Sequence, residues 1–353
     1  MPALRLQPAP WSAPWPIELP DQTELQDHLH ERHWTSRLRI MAALARSFYP
    51  KHRSAARAIA YCGHDAHIEI PDGDGEASFK LDRCRHRMCP FCAAARSAHV
   101  AHQIRAAMRT YQHPRAIVLT QRSEELPLRR AIDLLRNRFA RLRKTLFWKR
   151  RVVAGVYTLE VTRNEDTGLW HPHLHIVYAG AFIPQQELSE LWQKITAGSP
   201  VVSISEVRDK GSVSYELAKY IGKPQQVAGW PDHAILEYAT ATKTCRMIGL
   251  FGKQPGQRVD NQDPGPGPSR TVTQVSLRWL THMAENGSHN ALAALRYASG
   301  LFPLVANWTA KHFPQVDLER PADTDEEAHA FSGCLARELR ALIADGPPPP
   351  PDG

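Results

Sequence analysis

The sequence predicts an α+β protein whose sheet is largely antiparallel and flanked by helices. Three observations predict it: β-branched runs bounded by turn formers, one hairpin-length break between two of them, and amphipathic stretches between the others. The first run is 115–121 (RAIVLTQ). After it, Ile132, Leu135, Phe139, Leu142 and Leu146 recur at helical spacing, so a long helix follows. Two more runs, 152–162 (VVAGVYTLEVT) and 173–178 (HLHIVY), are separated by the turn-forming 164–168 (NEDTG), the mark of a hairpin. Leu188, Leu191, Trp192 and Ile195 then place a helix over 183–195, and 201–207 reads as a strand. A last helix is expected over 215–223 (YELAKYIGK), stopped by Gly222 and Pro224.

Length and composition bound the rest. At 353 residues, 42% hydrophobic and 23% charged, the chain can bury a core and is long enough for two domains. Six cysteines are too sparse for a disulfide scaffold. The most apolar stretch, 291–306, is cut by Arg296 and Pro303, so no membrane span is expected. The Pro-rich start lacks the apolar run of a secretory signal, so the expected location is the cytoplasm.

The expected organisation is a flexible Pro-rich lead over 1–35, a helical and cysteine-rich region over 36–112, and a catalytic domain over 113–226. An extension over 227–261, a Pro/Gly linker at 262–270 (QDPGPGPSR), a helical module over 271–345 and a disordered tail at 346–353 complete it. In the helical module Leu277, Leu280, Met283, Leu292 and Leu295 recur at helical intervals.

Charge is uneven along the chain. The net charge is +8, yet residues 85–151 hold seventeen Lys or Arg against Glu124, Glu125 and Asp133, an excess of fourteen, so the remainder is net acidic. On the long helix Arg129, Arg130, Arg136, Arg138, Arg141, Arg143 and Lys144 fill much of the surface that the apolar stripe leaves. A solvated helix normally mixes signs, so this face is expected to meet nucleic-acid phosphates.

Three constellations carry chemistry. In WHPHLHIVY (170–178), His173 and His175 leave one face of a strand, where they can grip one ion, while Leu174 and Ile176 turn to the core. Glu160, across the hairpin, and His171 compete as third ligand. Imidazole plus carboxylate with open positions suits Mn²⁺ or Mg²⁺ acting on a phosphate. In 215–223, Glu216 and Tyr220 are four apart with Lys219 and Lys223 close by, and a phenol of pKa about 10 needs such positive charge to act as a nucleophile. The bland reading of the tyrosine is a core ring with its hydroxyl at the rim. Cys84, Cys89 and Cys92 stand as C-x4-C-x2-C, a knuckle for structural Zn²⁺, with Cys62, His64 or His86 as fourth ligand. Cys245 and Cys334 read as buried thiols.

HPHLHIVY (171–178), LEVT (159–162), IVLT (117–120), the Tyr-Glu-x-x-Lys-Tyr-x-x-Lys run at 215–223 and the segment RCRHRMCPFCAAAR resemble, in order, the motifs of rolling-circle plasmid replication initiators. More narrowly, they are similar to the Rep_1-type branch of the HUH endonuclease superfamily. The likeness covers about residues 60–225 and leaves out the C-terminal third. It implies a ferredoxin-like or RRM-like sheet, His173 and His175 as metal pair, Tyr220 as the nucleophile that nicks single-stranded origin DNA, and Glu216 as the group that activates water. Glu160 as third ligand follows by analogy. Host helicase and polymerase would be partners, with the oligomeric state left open. A transposase of the HUH type shares the chemistry, a histidine-triad nucleotide hydrolase would explain only HLHIV, and a zinc-dependent DNA-binding regulator would leave the histidine strand idle.

Overall fold

The structure is a computed structural model that describes residues 23–71, 76–199, 202–219, 223–252, 272–322 and 324–344. The expected linker at 262–270, the tail at 346–353 and the first 22 residues of the lead lie outside the described residues. The chain divides into two compact units, each assembled from separated segments. One comprises 1–18, 35–59 and 85–265, the other 19–34, 60–84 and 266–353.

The first unit holds the expected antiparallel sheet. Strands Arg115–Thr120, Val152–Arg163, Trp170–Gly180 and Val202–Glu206 alternate with helices Leu128–Lys144 and Gln185–Thr196. In space the fourth strand lies beside the first, then come the third and the second, with every neighbouring pair antiparallel. That is the ferredoxin-like order for a strand–helix–strand–strand–helix–strand chain. A fifth strand, Ile248–Gly252, adds to the outer edge of Val152–Arg163, so the segment expected to be an extension completes this sheet.

The helices bury one face of the sheet. Leu128, Ala131, Ile132, Leu135, Phe139 and Leu142 are the buried stripe of Leu128–Lys144, each large side chain contributing roughly 1.5–3 kcal/mol. Phe139 meets Tyr157, Trp148 and Phe251 edge-on, with ring centroids 5.6–5.9 Å apart. Gly249 lies opposite Tyr157 because a Cβ there would come within 2.6 Å of that ring. The helix has no side-chain cap of its own. Instead Glu237, from helix Asp232–Thr242, accepts from the Leu128 N–H at 2.6 Å and brings a negative charge to the positive helix end.

Helix Lys210–Lys219 begins five residues earlier than the sequence reading puts it. Asp209 accepts from the N–H groups of Gly211 and Ser212 at 2.9 and 2.8 Å, an Asx start that outweighs the glycine. Lys223 does not continue this helix: its φ of −118° and ψ of 67° place it as the N-cap of the next one, Pro224–Ala228.

The second unit is a three-stranded antiparallel sheet under helices. Its order is Ser78–Leu81, Ala66–Pro71, Val272–Ser276, a pairing that the sequence reading does not contain. Ile68, Ile70, Val275, Leu280, Leu295, Trp308, Leu335 and Leu339 form its core. The expected C-terminal helices are present as Leu277–Glu285, His289–Leu301, Pro303–His312 and Asp325–Ala344. The lead is ordered from Thr23 onward, contrary to the expected flexibility to residue 35. A Thr23/Gln26 capping box starts helix Glu24–His30, and Leu25 is fully buried.

Candidate functional site

Strand register builds the centre. Glu160 pairs directly with His173 across the hairpin, and His175 is two residues on, so all three side chains leave the sheet face opposite Leu159, Leu174 and Ile176. His173 Nε2 and His175 Nε2 approach the same Glu160 oxygen, Oε2, at 2.6 and 2.8 Å. The other oxygen, Oε1, receives the Lys223 ammonium. Burial alone would raise the pKa of Glu160, but the hydrogen bonds from His173, His175 and Lys223 outweigh it and hold the carboxyl well below the usual range. Glu160 is therefore an anion despite being only 7% exposed at its side chain.

The donor set fits a divalent ion. Two imidazole nitrogens and one carboxylate oxygen lie within 4.8 Å of one another, and both rings aim the same nitrogen at one point. Nitrogen and oxygen donors of this kind take Mn²⁺ or Mg²⁺ with positions to spare. His171 is not in the group. Its Nδ1 is 2.9 Å from Ser123 Oγ, and burial lowers its pKa, helped by the charge of His173. Among the three histidines the structure thus brings His173 and His175 together with Glu160 and sets His171 beside Ser123.

The strand that carries these ligands is fixed at its start. The Trp170 indole N–H donates to Glu237 Oε2 at 2.9 Å, so the carboxylate that caps helix Leu128–Lys144 also holds this strand. Trp170 packs edge-on against Trp230, and Arg163 lies over its ring at 5.9 Å. The sequence reading did not single out Glu237, since a lone glutamate in an amphipathic helix carries no signal.

Tyr220 lies outside the described residues. The described residues nearest to it in sequence are Lys219 and Lys223. Glu216 and Lys219 form an exposed ion pair on helix Lys210–Lys219 and are not in the Glu160 group. Lys223, three residues after Tyr220, is at the centre through Glu160.

Cys89 and Cys92 belong to the first unit and Cys62 and Cys84 to the second. The Cys89/Cys92 pair offers two of the four thiolates that tetrahedral Zn²⁺ takes. The knuckle follows from local chemistry: Cys89 is the N-cap of helix Pro90–Ala107 and Pro90 starts that helix without needing an N–H partner. Arg87 anchors the approach by donating to the Thr242 and Cys245 carbonyls at 2.8 and 3.1 Å. Among the described residues His86 and His64 are in no group of possible metal ligands. Burial first, then the charges of Arg96 and Arg87, pushes His86 down to about 4, while His64 packs against Tyr61. Cys245 is buried as expected, whereas Cys334 is only half-buried.

Most arginines of the basic helix make contacts within the fold. Arg138 donates to Gln121, Glu124 and the Thr196 carbonyl, Arg136 to the Arg246 carbonyl, and Arg141 to the Ile195 carbonyl. Arg143 lies over Phe139 at 4.9 Å, and Arg129 pairs with Asp133 at 3.0 Å. Those contacts hold the fold. Arg130 and Lys144 are exposed, and the next helix, Leu146–Arg151, adds exposed Lys149 and Arg150.

These features define an α+β protein with a His/Glu centre on the face of a ferredoxin-like sheet opposite Leu159, Leu174 and Ile176. Residues 78–264 match the Rep_1 family, described as Replication protein, and the chain belongs to that family. It is similar to a Protein rep of Streptococcus pneumoniae serotype 2, 27% identical over 165 residues, covering 40% of this chain and 51% of that one. A Protein rep of Staphylococcus aureus is 27% identical over 163 residues (41% and 71%), and one of a Bacillus species 30% over 149 residues (38% and 48%). The chain thus spans about half the length of the streptococcal and Bacillus relatives. No solved structure matches it. No helix among the described residues is long and apolar enough to cross a membrane.

Proposed function

We propose that this chain is a rolling-circle replication initiator that nicks and religates single-stranded origin DNA through Tyr220. The observation that carries the reading is the contact between Lys223 and Glu160, which brings the chain to the His173/His175 centre three residues from the tyrosine. Family membership and relatives named Protein rep support it.

Glu160, His173 and His175 would hold Mn²⁺ or Mg²⁺, which when bound neutralises and polarises an oxygen of the scissile phosphodiester. The Tyr220 oxygen attacks phosphorus, its proton is released, and the 3′-oxygen of the preceding nucleotide leaves and is protonated to the 3′-hydroxyl that primes synthesis. The DNA 5′-phosphate stays on the tyrosine. Religation reverses these steps, and Glu216 takes a proton from water when the adduct is to be hydrolysed. The Lys223 ammonium offsets negative charge at Glu160 and at the incoming phosphate. Arg130 and Lys144 hold the strand by its backbone, and Cys89 and Cys92 with Zn²⁺ fix the knuckle before helix Pro90–Ala107. Cleavage of labelled single-stranded origin DNA in Mn²⁺ tests the proposal: Glu160→Gln and His175→Ala are expected to lower the rate at least a hundredfold. Wild-type rates in either variant, or tight duplex binding with no cleavage in any divalent metal, would overturn it.

A further inference from the structure

Helices Trp34–Ala45 and Pro50–Ala60 are joined by a short turn that displays two adjacent aromatic side chains. Phe48 is 94% exposed and Tyr49 71% exposed. Exposed rings on flexible loops are unremarkable, but this turn is braced. Ser47 is buried, its Oγ accepts from the Tyr49 N–H at 3.2 Å and contacts His52 Nδ1 at 2.8 Å. Arg53 donates to the carbonyls of Ser47 and Phe48 at 3.2 and 3.0 Å. His52 Nε2 lies 2.9 Å from Thr240 Oγ1, and the Tyr49 and His52 rings meet edge-on with centroids 5.6 Å apart. The rings are therefore held out into solvent by the fold.

The surroundings are cationic. From Thr35 to Ile59 the sequence has six Lys or Arg and no Asp or Glu. Arg37 is spent on the Ile59 carbonyl, Arg39 and Arg46 on Asp232 and Arg53 on the turn itself, which leaves Lys51 exposed in the first turn of helix Pro50–Ala60 and Arg57 exposed about two turns further along it. Lys243 also lies close enough to act on His52. Rigid aromatic faces with flanking cations match a polyanion whose bases are unpaired, since a ring can stack on any base while the cations meet phosphates. The turn also connects to the centre. Thr240 is on helix Asp232–Thr242 one turn beyond Glu237, and Glu237 holds Trp170 at the start of the histidine strand.

We propose that Phe48 and Tyr49 are a base-stacking site for single-stranded DNA, with Lys51 and Arg57 on its phosphates, a second grip tied to the start of the strand that carries His173 and His175 through Thr240 and Glu237. This deepens the initiator reading and rests on it only in taking single-stranded DNA as ligand. Its test needs no cleavage. Full-length protein is titrated into fluorescein-labelled oligo(dT), the same strand with abasic positions, and a duplex of equal length, followed by anisotropy. Phe48→Ala with Tyr49→Ala is expected to weaken oligo(dT) binding by about tenfold to a hundredfold. Binding to the abasic strand and duplex should change less than twofold, with an unaltered thermal midpoint. Because both rings stand in solvent, their removal leaves the core intact.

Oligo(dT) affinity within twofold of wild type would overturn the proposal. So would an equal loss on the abasic strand, or a change from dimer to monomer in sedimentation that marks the rings as a contact between copies. If nicking fails while the stacking loss is seen, the initiator reading falls and this site stands. The converse outcome removes this site alone.

Discussion

Glu160 is the residue on which the centre turns, because two imidazoles and an ammonium all address one buried carboxylate. Glu160→Gln keeps the size but loses the charge and one acceptor, so Mn²⁺ affinity measured by calorimetry should fall by roughly tenfold or more. An unchanged affinity would remove the carboxylate from the centre. Cys89→Ser should release one Zn²⁺ per chain, read by elemental analysis, and lower the thermal midpoint, because metal-binding free energy is folding free energy at such a site. Much of this was legible in the residues. A histidine pair spaced by one residue can only share a strand face, and the hairpin loop sets Glu160 opposite His173. His171 has the same parity, and only its hydrogen bond to Ser123, a residue 48 positions away, separates it from the group. Sequence spacing cannot supply such a partner.

At the scale of elements, the arginine-rich helix shows how a charge pattern can mislead in part. Its one-sided basicity reads as a phosphate-binding face, yet Arg138 ties strand, loop and helix together through Gln121, Glu124 and Thr196. Arg138→Ala should cost about 1–3 kcal/mol in denaturant unfolding with no specific effect on salt dependence. Arg130→Ala with Lys144→Ala should leave stability within about 0.5 kcal/mol and reduce the slope of log affinity for oligo(dT) against log salt. The three-stranded sheet offers a pH test. The Asp82 carboxylate, 3.6 Å from His67 Nδ1, raises the pKa of His67 above 6.5 against the opposing effect of burial, with Asp65 and Glu69 adding attraction. A raised histidine stabilises the fold fully below its unfolded value and loses that contribution as pH rises through the folded value. Wild type should therefore lose thermal stability relative to His67→Gln as pH rises above about 6.5, and melting curves that stay parallel through that rise would contradict the assignment. This sheet was illegible in the sequence for a physical reason: His67 pairs with Ser276, so no local pattern announces it.

For the molecule as a whole, the ferredoxin-like unit follows from order and periodicity, since each strand and helix between Arg115 and Glu206 carries its own signal. What the linear reading lacked is that both compact units draw on separated stretches of chain. The aromatic turn at Phe48 and Tyr49 shows the same limit. Two aromatics beside Pro50 look like ordinary core until their exposure is seen. The concentration of positive charge in 85–151, with only Glu124, Glu125 and Asp133 against it, is the largest global feature, and it predicts that binding to a polyanion would depend strongly on salt. The central claim, that Tyr220 becomes covalently joined to DNA at the His173/His175 centre, is tested most directly by incubating the full chain and Mn²⁺ with a random library of single strands. Denaturing electrophoresis and peptide mass mapping then locate any attached nucleotide. The account predicts a phosphotyrosyl bond on Tyr220 to a DNA 5′ end, absent in Tyr220→Phe and in Glu160→Gln. An adduct that survives Tyr220→Phe, or no adduct from wild type in either Mn²⁺ or Mg²⁺, would contradict it.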